Sequence, residues 1–484
     1  MKAQAARAAS ILSFLATGAA AFLALPKEAS AQEWLKDRRA AEGAGIRAGD
    51  LEIHPGIGGE IGYDSNWFLR SYKEDPRFVN GAPLNPPQAA GIIRITPSIS
   101  ISTLGAQRRE QQAAGAEPSP IAFRAGAAAT YREFIGPEDI RKQRNVSVNA
   151  NARLDVNPGR PLGFGVFANY QRLIQPSVVS DPNLSFNRDD VGAGAEVIAM
   201  PGGGTLDLRA GYQFFGSFFE DSNGVPYTNL THEVSFRDRW KFRPRTALFH
   251  DTSLRFITYP NADRSLNYLN DSTPLRTRIG LTGLVTDRFG TLLAVGYGAT
   301  FFKNPNAVST PQYDSVNAQA EGTFYLSPGG QGEPGQVSLL LSTLTFGYVR
   351  DFQNSLLGNF YSSNKGYAKL VYNFAGRAVI QLDGYFEALS YPQPYYNVPG
   401  GAPQAVNGLN GQPTGDFTNW RVGGILFGEY RFSDSFGLNA TFDYSQTISD
   451  IALASGTTGT VGAAQFYDMS WRRFQALFGA RWFL

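Results

Sequence analysis

Three histidines, 43 basic and 41 acidic side chains and no cysteine are what this 484-residue chain offers for chemistry. Without cysteine there is no disulfide, thiolate metal site or thiol nucleophile. Acid–base or metal chemistry then falls to His54, His232 or His250. His54 stands on one side of an alternating stretch, beside Pro55. His232 and His250 share a parity on either side of the turn Phe242–Thr246, and folding the chain there sets Asp238 opposite His250. An Asp–His pair on an outward face is part of a lipid hydrolase's machinery, but it needs a serine close by. Ser253 has the other parity and points away. The stretch HEVSFRD has no second histidine for zinc, and PGGG at Pro201–Gly204 lacks the lysine and helix of a phosphate loop. No catalytic residue, cofactor or metal ligand is assigned.

The charged residues follow a different rule. Glu60, Arg94, Asn149, Asn151, Arg153, Asp207, Arg209, Arg276, Arg278, Asp383 and Arg421 each sit on the polar side of a strict two-residue alternation. In a strand that period separates two faces. These eleven are the predicted lining of a wet interior. Their mixed signs suit two readings: a selectivity lining for a polar solute, or the ordinary polar wall of a water-filled lumen whose charges pair across strands.

The elements that carry them are long alternating segments. Leu51–Asn66 sets Ile53, Pro55, Ile57, Ile61 and Tyr63 against Glu52, His54, Glu60 and Asp64. Asn145–Val156 sets Val146, Val148, Ala150, Ala152 and Leu154 against Asn145, Ser147, Asn149, Asn151 and Arg153. Soluble strands usually stop after about five or six residues, whereas a tilted strand crossing a bilayer needs about 9–11. The chain holds about eighteen such segments in all, among them Thr205–Phe215, Val337–Arg350 and Asn364–Phe374, ending with Ser470–Leu484. Every second connection is tight, as at Asn157–Pro161, Pro201–Gly204, Thr286–Gly290 and Ser433–Phe436; the others are longer, up to Trp67–Ala90 and Tyr391–Phe417. Gly105–Pro120 and Ser327–Gln336 break the rule by being long where a turn would do.

Aromatic residues gather at the segment ends. Tyr63, Trp67, Tyr131, Tyr170, Tyr212, Tyr259, Tyr348 and Trp420 mark one boundary; Phe164, Trp240, Phe289, Phe374, Phe432 and Trp482 mark the other. Two girdles at headgroup depth have this form. The expectation is an all-β chain: one antiparallel transmembrane β-barrel over 51–484, with both termini periplasmic.

Residues 1–31 read as a secretory signal: Lys2 and Arg7, the apolar Ile11–Leu25, then Ala29-Ser30-Ala31. Residues 32–50 are a polar, charged lead-in with one exposed helical turn. The formal charge of the whole is +2, and beyond the signal basic and acidic residues cancel. That excludes a nucleic-acid partner and gives no whole-chain hint of ion selectivity.

Arg47-Ala48-Gly49, Leu51, His54-Pro55 and Gly62-Tyr63-Asp64-Ser65-Asn66 together resemble the start of a family of bacterial outer-membrane β-barrel porins. Such barrels are often encoded beside capsule or exopolysaccharide machinery. The resemblance covers some twenty residues and implies a conduit carrying polysaccharide across the outer membrane of a Gram-negative bacterium. It also implies a periplasmic export protein as partner, and brings no catalytic residues. The closing strand, with Phe474, Phe478, Trp482 and Leu484 in alternation, resembles the signal read by the barrel-insertion machinery. The other expected partners are outer-membrane lipid and the polysaccharide cargo. Two alternatives stand beside this: a general diffusion porin for small solutes, and a lipid-acting outer-membrane enzyme.

Overall fold

The computed structural model describes residues 45–72, 86–103, 120–174, 186–221, 227–261, 270–303, 312–326, 342–355, 359–374, 377–396, 404–405, 407, 412–433, 435–455 and 465–484. The signal, most of the lead-in and the two long exceptional connections lie outside the described residues.

Strands β1 (Leu51–Asp64), β2 (Ala90–Thr103), β3 (Ile121–Ile135), β4 (Asn145–Val156), β5 (Leu162–Leu173) and β6 (Arg188–Ala199) form the first third of the sheet. Next come β7 (Leu206–Phe219), β8 (Asn229–Arg243), β9 (Thr246–Thr258), β10 (Ser272–Thr286), β11 (Phe289–Phe302) and β12 (Tyr313–Tyr325). The last are β13 (Thr343–Ser355), β14 (Asn359–Phe374), β15 (Ala378–Tyr391), β16 (Phe417–Ser433), β17 (Phe436–Ile448) and β18 (Trp471–Phe483). Each pairs antiparallel with its neighbours in sequence, and β18 returns to pair with β1 from Gly56↔Phe483 to Asp64↔Gln475. The result is a closed antiparallel 18-stranded barrel. Closure removes the edge strands an open sheet would expose.

All eighteen expected segments are strands of this barrel, with shifted bounds. The segment expected at Thr205–Phe215 runs on to Phe219, and that expected at Asn364–Phe374 begins at Asn359. The one expected at Val337–Arg350 runs from Thr343 to Ser355. Strands of twelve to seventeen residues exceed what the bilayer requires, so their ends project beyond it.

One end of the barrel has tight turns, such as Pro244-Arg245 between β8 and β9 and Asp287-Arg288 between β10 and β11. Asn157 and Gly159 take left-handed backbone angles, φ 54° and 77°, in the turn between β4 and β5. PGGG is likewise a turn, with all three glycines at positive φ. At this turn end the close of the lead-in is ordered as well. Ile46–Ala48 folds back on β1 with Arg47 opposite Glu52, through a bend in which Gly49 has φ 63°.

The outer surface is apolar. Ile61, Val234, Leu293, Val295, Val316 and Phe478 are each more than half exposed, which in water would be costly and in hydrocarbon is not. Tyr63, Tyr131, Tyr212, Tyr348 and Trp420 are exposed at one boundary, and Phe164, Trp240, Phe374, Phe432 and Trp482 at the other. Trp67 and Tyr259 do not join the girdle: they are only 4% and 8% exposed. Both lie just past a strand end, where chain parity no longer determines the face. Trp67 packs with Phe68, Ala90, Ile92, Phe134 and Ile140 in a core under the loop end. A second core, Leu389, Tyr391 and Phe417, sits at the same end.

Candidate channel interior

Residues in cross-strand register share a face. Following the register around the barrel places all eleven residues named from sequence on one face, opposite the exposed apolar residues. Glu60 is opposite Arg94, and Arg153 is two residues from Asn151 and four from Asn149 on β4. Arg209 stands opposite Arg237, Asp251 opposite Arg278, Ser253 opposite Arg276, and Asp383 opposite Lys369. Arg421 stands opposite Glu387.

That face is the concave one, on geometric grounds. Neighbouring strands are about 4.8 Å apart, so side chains two strands apart converge only where the sheet curves towards them. Arg153 of β4 pairs with Glu196 of β6 across Gly165 of β5. Asn439 of β17 donates to Glu60 of β1 at 2.7 Å across Gly479 of β18. The Tyr367 hydroxyl of β14 donates to Glu321 of β12 across Gly347 of β13. In each case the strand between contributes a glycine, and a Cβ there would meet the bridging groups: at Gly165 it would lie 2.9 Å from Arg153 Nη2 and 3.1 Å from Asp155 Oδ1.

Most of the interior charges are paired. Arg209 Nε donates to Asp207 at 2.9 Å, Arg278 Nη2 to Asp251 at 2.9 Å, and Arg255 Nε to Glu233 at 2.6 Å. Glu60 lies 3.7 Å from Arg94, and Lys369 3.7 Å from Asp383. Asp64 is fully buried, and Arg473 Nε donates to it at 2.8 Å.

The tip of the β13–β14 hairpin gives the interior a second feature. Pairing between β12 and β13 stops at Ala318↔Arg350, while β13 and β14 stay paired to Ser355↔Asn359. The freed tip leans inward over β11 and β12 and is tied to β10. Arg276 Nε donates to Asp351 Oδ1 at 3.1 Å, and the same guanidinium donates to the Phe352 carbonyl and lies 4.2 Å from the Phe352 ring centroid. Asn354 donates to Ser272 at 2.6 Å, and Asn270 to Asn359 at 3.0 Å. Phe352 is fully buried, stacked on Tyr313 at 4.2 Å; a Cβ at Gly298 would lie 2.6 Å from its ring. A cavity of about 350 Å³ lies beside the tip, lined by Arg237, Arg255, Arg276, Arg278, Asp351 and Gln353 among others. Sequence reasoning missed this hairpin. By parity Phe352 continues the outward row of Phe346 and Tyr348, and only the end of the β12–β13 ladder reveals the change.

The histidines fall where the sequence set them. His54, 7% exposed, lies on the inner face, 3.6 Å from Glu52. His250 is in register with Asp238, Nδ1 to Oδ2 3.3 Å, on the outer face. Its Nε2 contacts Thr252 at 2.8 Å and Thr277 at 3.2 Å, so the polar atoms satisfy one another at the lipid surface. Ser253 is on the inner face with Arg276. Among the described residues no cluster of three His, Asp or Glu could hold a metal ion.

No protein-family model matches the chain, and no curated protein matches it. Solved structures of similar shape include a BenF-like porin from Pseudomonas fluorescens Pf-5, at 11% identity and TM-score 0.42, covering 90% of this chain and 99% of that one. OccAB4 of Acinetobacter baumannii matches at 10% identity and TM-score 0.41, covering 89% and 98%. The FrpB iron transporter of Neisseria meningitidis (F5-1 variant, apoprotein form) matches at 8% identity and TM-score 0.45, covering 91% and 82%. A closed barrel of eighteen long strands, apolar without and largely polar within, is on its own build a membrane-spanning barrel of the outer-membrane type.

Proposed function

We propose that the barrel is a passive conduit across the outer membrane of a Gram-negative bacterium, and that its cargo is polysaccharide handed over by a periplasmic export protein. The conduit reading is supported by the largely polar inner face, which holds all eleven named residues and is interrupted by rings such as Phe167 and Phe249. Charged groups bridging over glycines are what a wetted interior accommodates and a packed core does not. Polysaccharide is supported by the resemblance of the opening strand. On this reading the turn end is periplasmic, and the partner docks there on the lead-in Gln32–Asp50 and on Gly105–Pro120 and Ser327–Gln336. The C-terminal strand is the part read by the insertion machinery.

A second reading, a diffusion porin for small solutes, is favoured by the inward-leaning β13–β14 tip, which fills space a polymer would use. Deleting the gene and scoring surface polysaccharide separates the two. Loss of polysaccharide with unchanged uptake of small sugars supports export; unchanged polysaccharide with slowed uptake supports the porin. Replacing Gly105–Pro120 with an Asn-Gly hairpin turn tests docking: assembly is kept and export is lost, whereas normal export removes that loop from the contact.

A further inference from the structure

The chain is nearly neutral as a whole, but the charges of the inner face are unevenly spread. On the turn-end half of β3 to β8, Arg153 and Arg209 are answered by Asp155, Glu196 and Asp207. Five more cations there, Arg124, Arg237, Arg239, Lys241 and Arg243, have no carboxylate within 4 Å among the described residues, and all five are exposed. Arg124 lies directly opposite Arg153, and Arg209 directly opposite Arg237; Arg237 and Arg239 also stand in register with Asp251 and Asp207, which are bonded instead to Arg278 and Arg209. Like charges face to face across a strand pair cost stability. A wall that only had to be wet could carry serine or asparagine at these places, as β4 does at Ser147, Asn149 and Asn151. Arg124, Arg153, Arg209 and Arg237 converge on one recess of about 470 Å³. Arg239, Lys241, Arg243 and Arg245 line a second, of about 410 Å³. Arg237 and Arg239, two residues apart on β8, join the two recesses.

We propose that this arc is an anion-collecting wall at the turn-end mouth, and that the solute carried is a carboxylate-bearing saccharide. The inference rests on the conduit reading above. A guanidinium fork matches a carboxylate in bidentate geometry, and a row of unpaired forks offers an acidic chain successive sites of similar strength. It would be held along the wall without being trapped at one point. The opposite wall has no such surplus: Lys369 is paired with Asp383, and Arg431 and Arg481 share Glu429.

The test uses the full barrel in a planar bilayer under a potassium chloride gradient. The expected reversal potential shows preference for chloride, which R237Q/R239Q reduces and R237E/R239E reverses, while K365Q on the other wall leaves it unchanged. Oligogalacturonate should block the current at lower concentration than neutral dextran of equal length, and the double Gln variant should lose that advantage. Galacturonate monomer blocking as well as the oligomer would overturn the wall as a row of successive sites for an acidic chain. A conducting channel without chloride preference, or one blocked equally by dextran, overturns the inference and leaves the conduit standing. A folded barrel with no conductance overturns the conduit and the inference with it.

Discussion

On β4, Val148, Ala150, Ala152 and Leu154 look outward, while Ser147, Asn149, Asn151 and Arg153 look inward. Ala152 has Ala125 and Ala168 as cross-strand neighbours, with nothing polar to satisfy. Arg153, one residue on, gathers Asp155 of its own strand and Glu196 from two strands away. The outer face asks only that a residue be apolar, because lipid supplies the contacts. The inner face asks for particular partners at a particular register, because a buried or half-buried charge without one is costly.

The largest test of that difference inserts a charge on each face. A152R faces mid-belt lipid and should cost about 2–4 kcal/mol. N151R enters the lumen and should change little. Denaturant titration of the refolded barrel in lipid vesicles measures both, and equal losses would erase the distinction between faces.

Glycines sharpen it next. G165V puts a side chain among Arg153, Asp155 and Glu196 and should cost about 1–3 kcal/mol, as overpacking does. At Gly59, on the outer face, nothing lies within 4 Å of an added Cβ. G59V should therefore be neutral or stabilising by up to about 1 kcal/mol through strand preference alone. A loss at Gly59 as large as that at Gly165 would mean that glycine serves the strands rather than the bridges.

A smaller effect is expected from D351A, which removes the carboxylate that Arg276 holds and should loosen the hairpin tip. Stability should fall by about 1–3 kcal/mol at most, the range of a hydrogen bond to a charged group, with the barrel still assembled. Single-channel conductance should rise; an unchanged value would mean that the tip does not narrow the path.

The smallest stability changes are expected from single cysteines at 148, 149, 150, 151 and 154; R153C costs more, because it takes the arginine from Asp155 and Glu196. A membrane-impermeant thiol reagent should label cysteine at 149, 151 and 153 and spare cysteine at 148, 150 and 154. Even labelling would show that the two faces meet the same solvent.

The strands were legible in the residues because a two-residue alternation over a dozen positions has few other solutions. The pairing of Asp238 with His250 was expected from a turn at Phe242–Thr246; the turn itself pairs Arg243 with Thr246, and a register shift between Thr246 and Leu248 then sets Asp238 opposite His250. That the eleven named residues share one face was legible one strand at a time by parity. Where parity ends, so did the reading: Trp67 and Tyr259, just beyond their strands, are buried rather than in the girdle, Trp67 within an apolar core.

The sequence by itself determined the number of strands and, along each, which side chains share a face, since both depend only on local period and turn length. Tertiary structure alone decided three things. Bridges such as Arg153 to Glu196 need a third strand to place Gly165 between them, and no pattern within one strand encodes that. The inward hairpin depends on where β12 and β13 part, which shows in the pairing and not in the alternation. The basic arc joins arginines from β3, β4, β7 and β8, whose charges cancel against distant acids in any count along the chain and are set apart only when the sheet curls and brings one end of those strands to a common mouth.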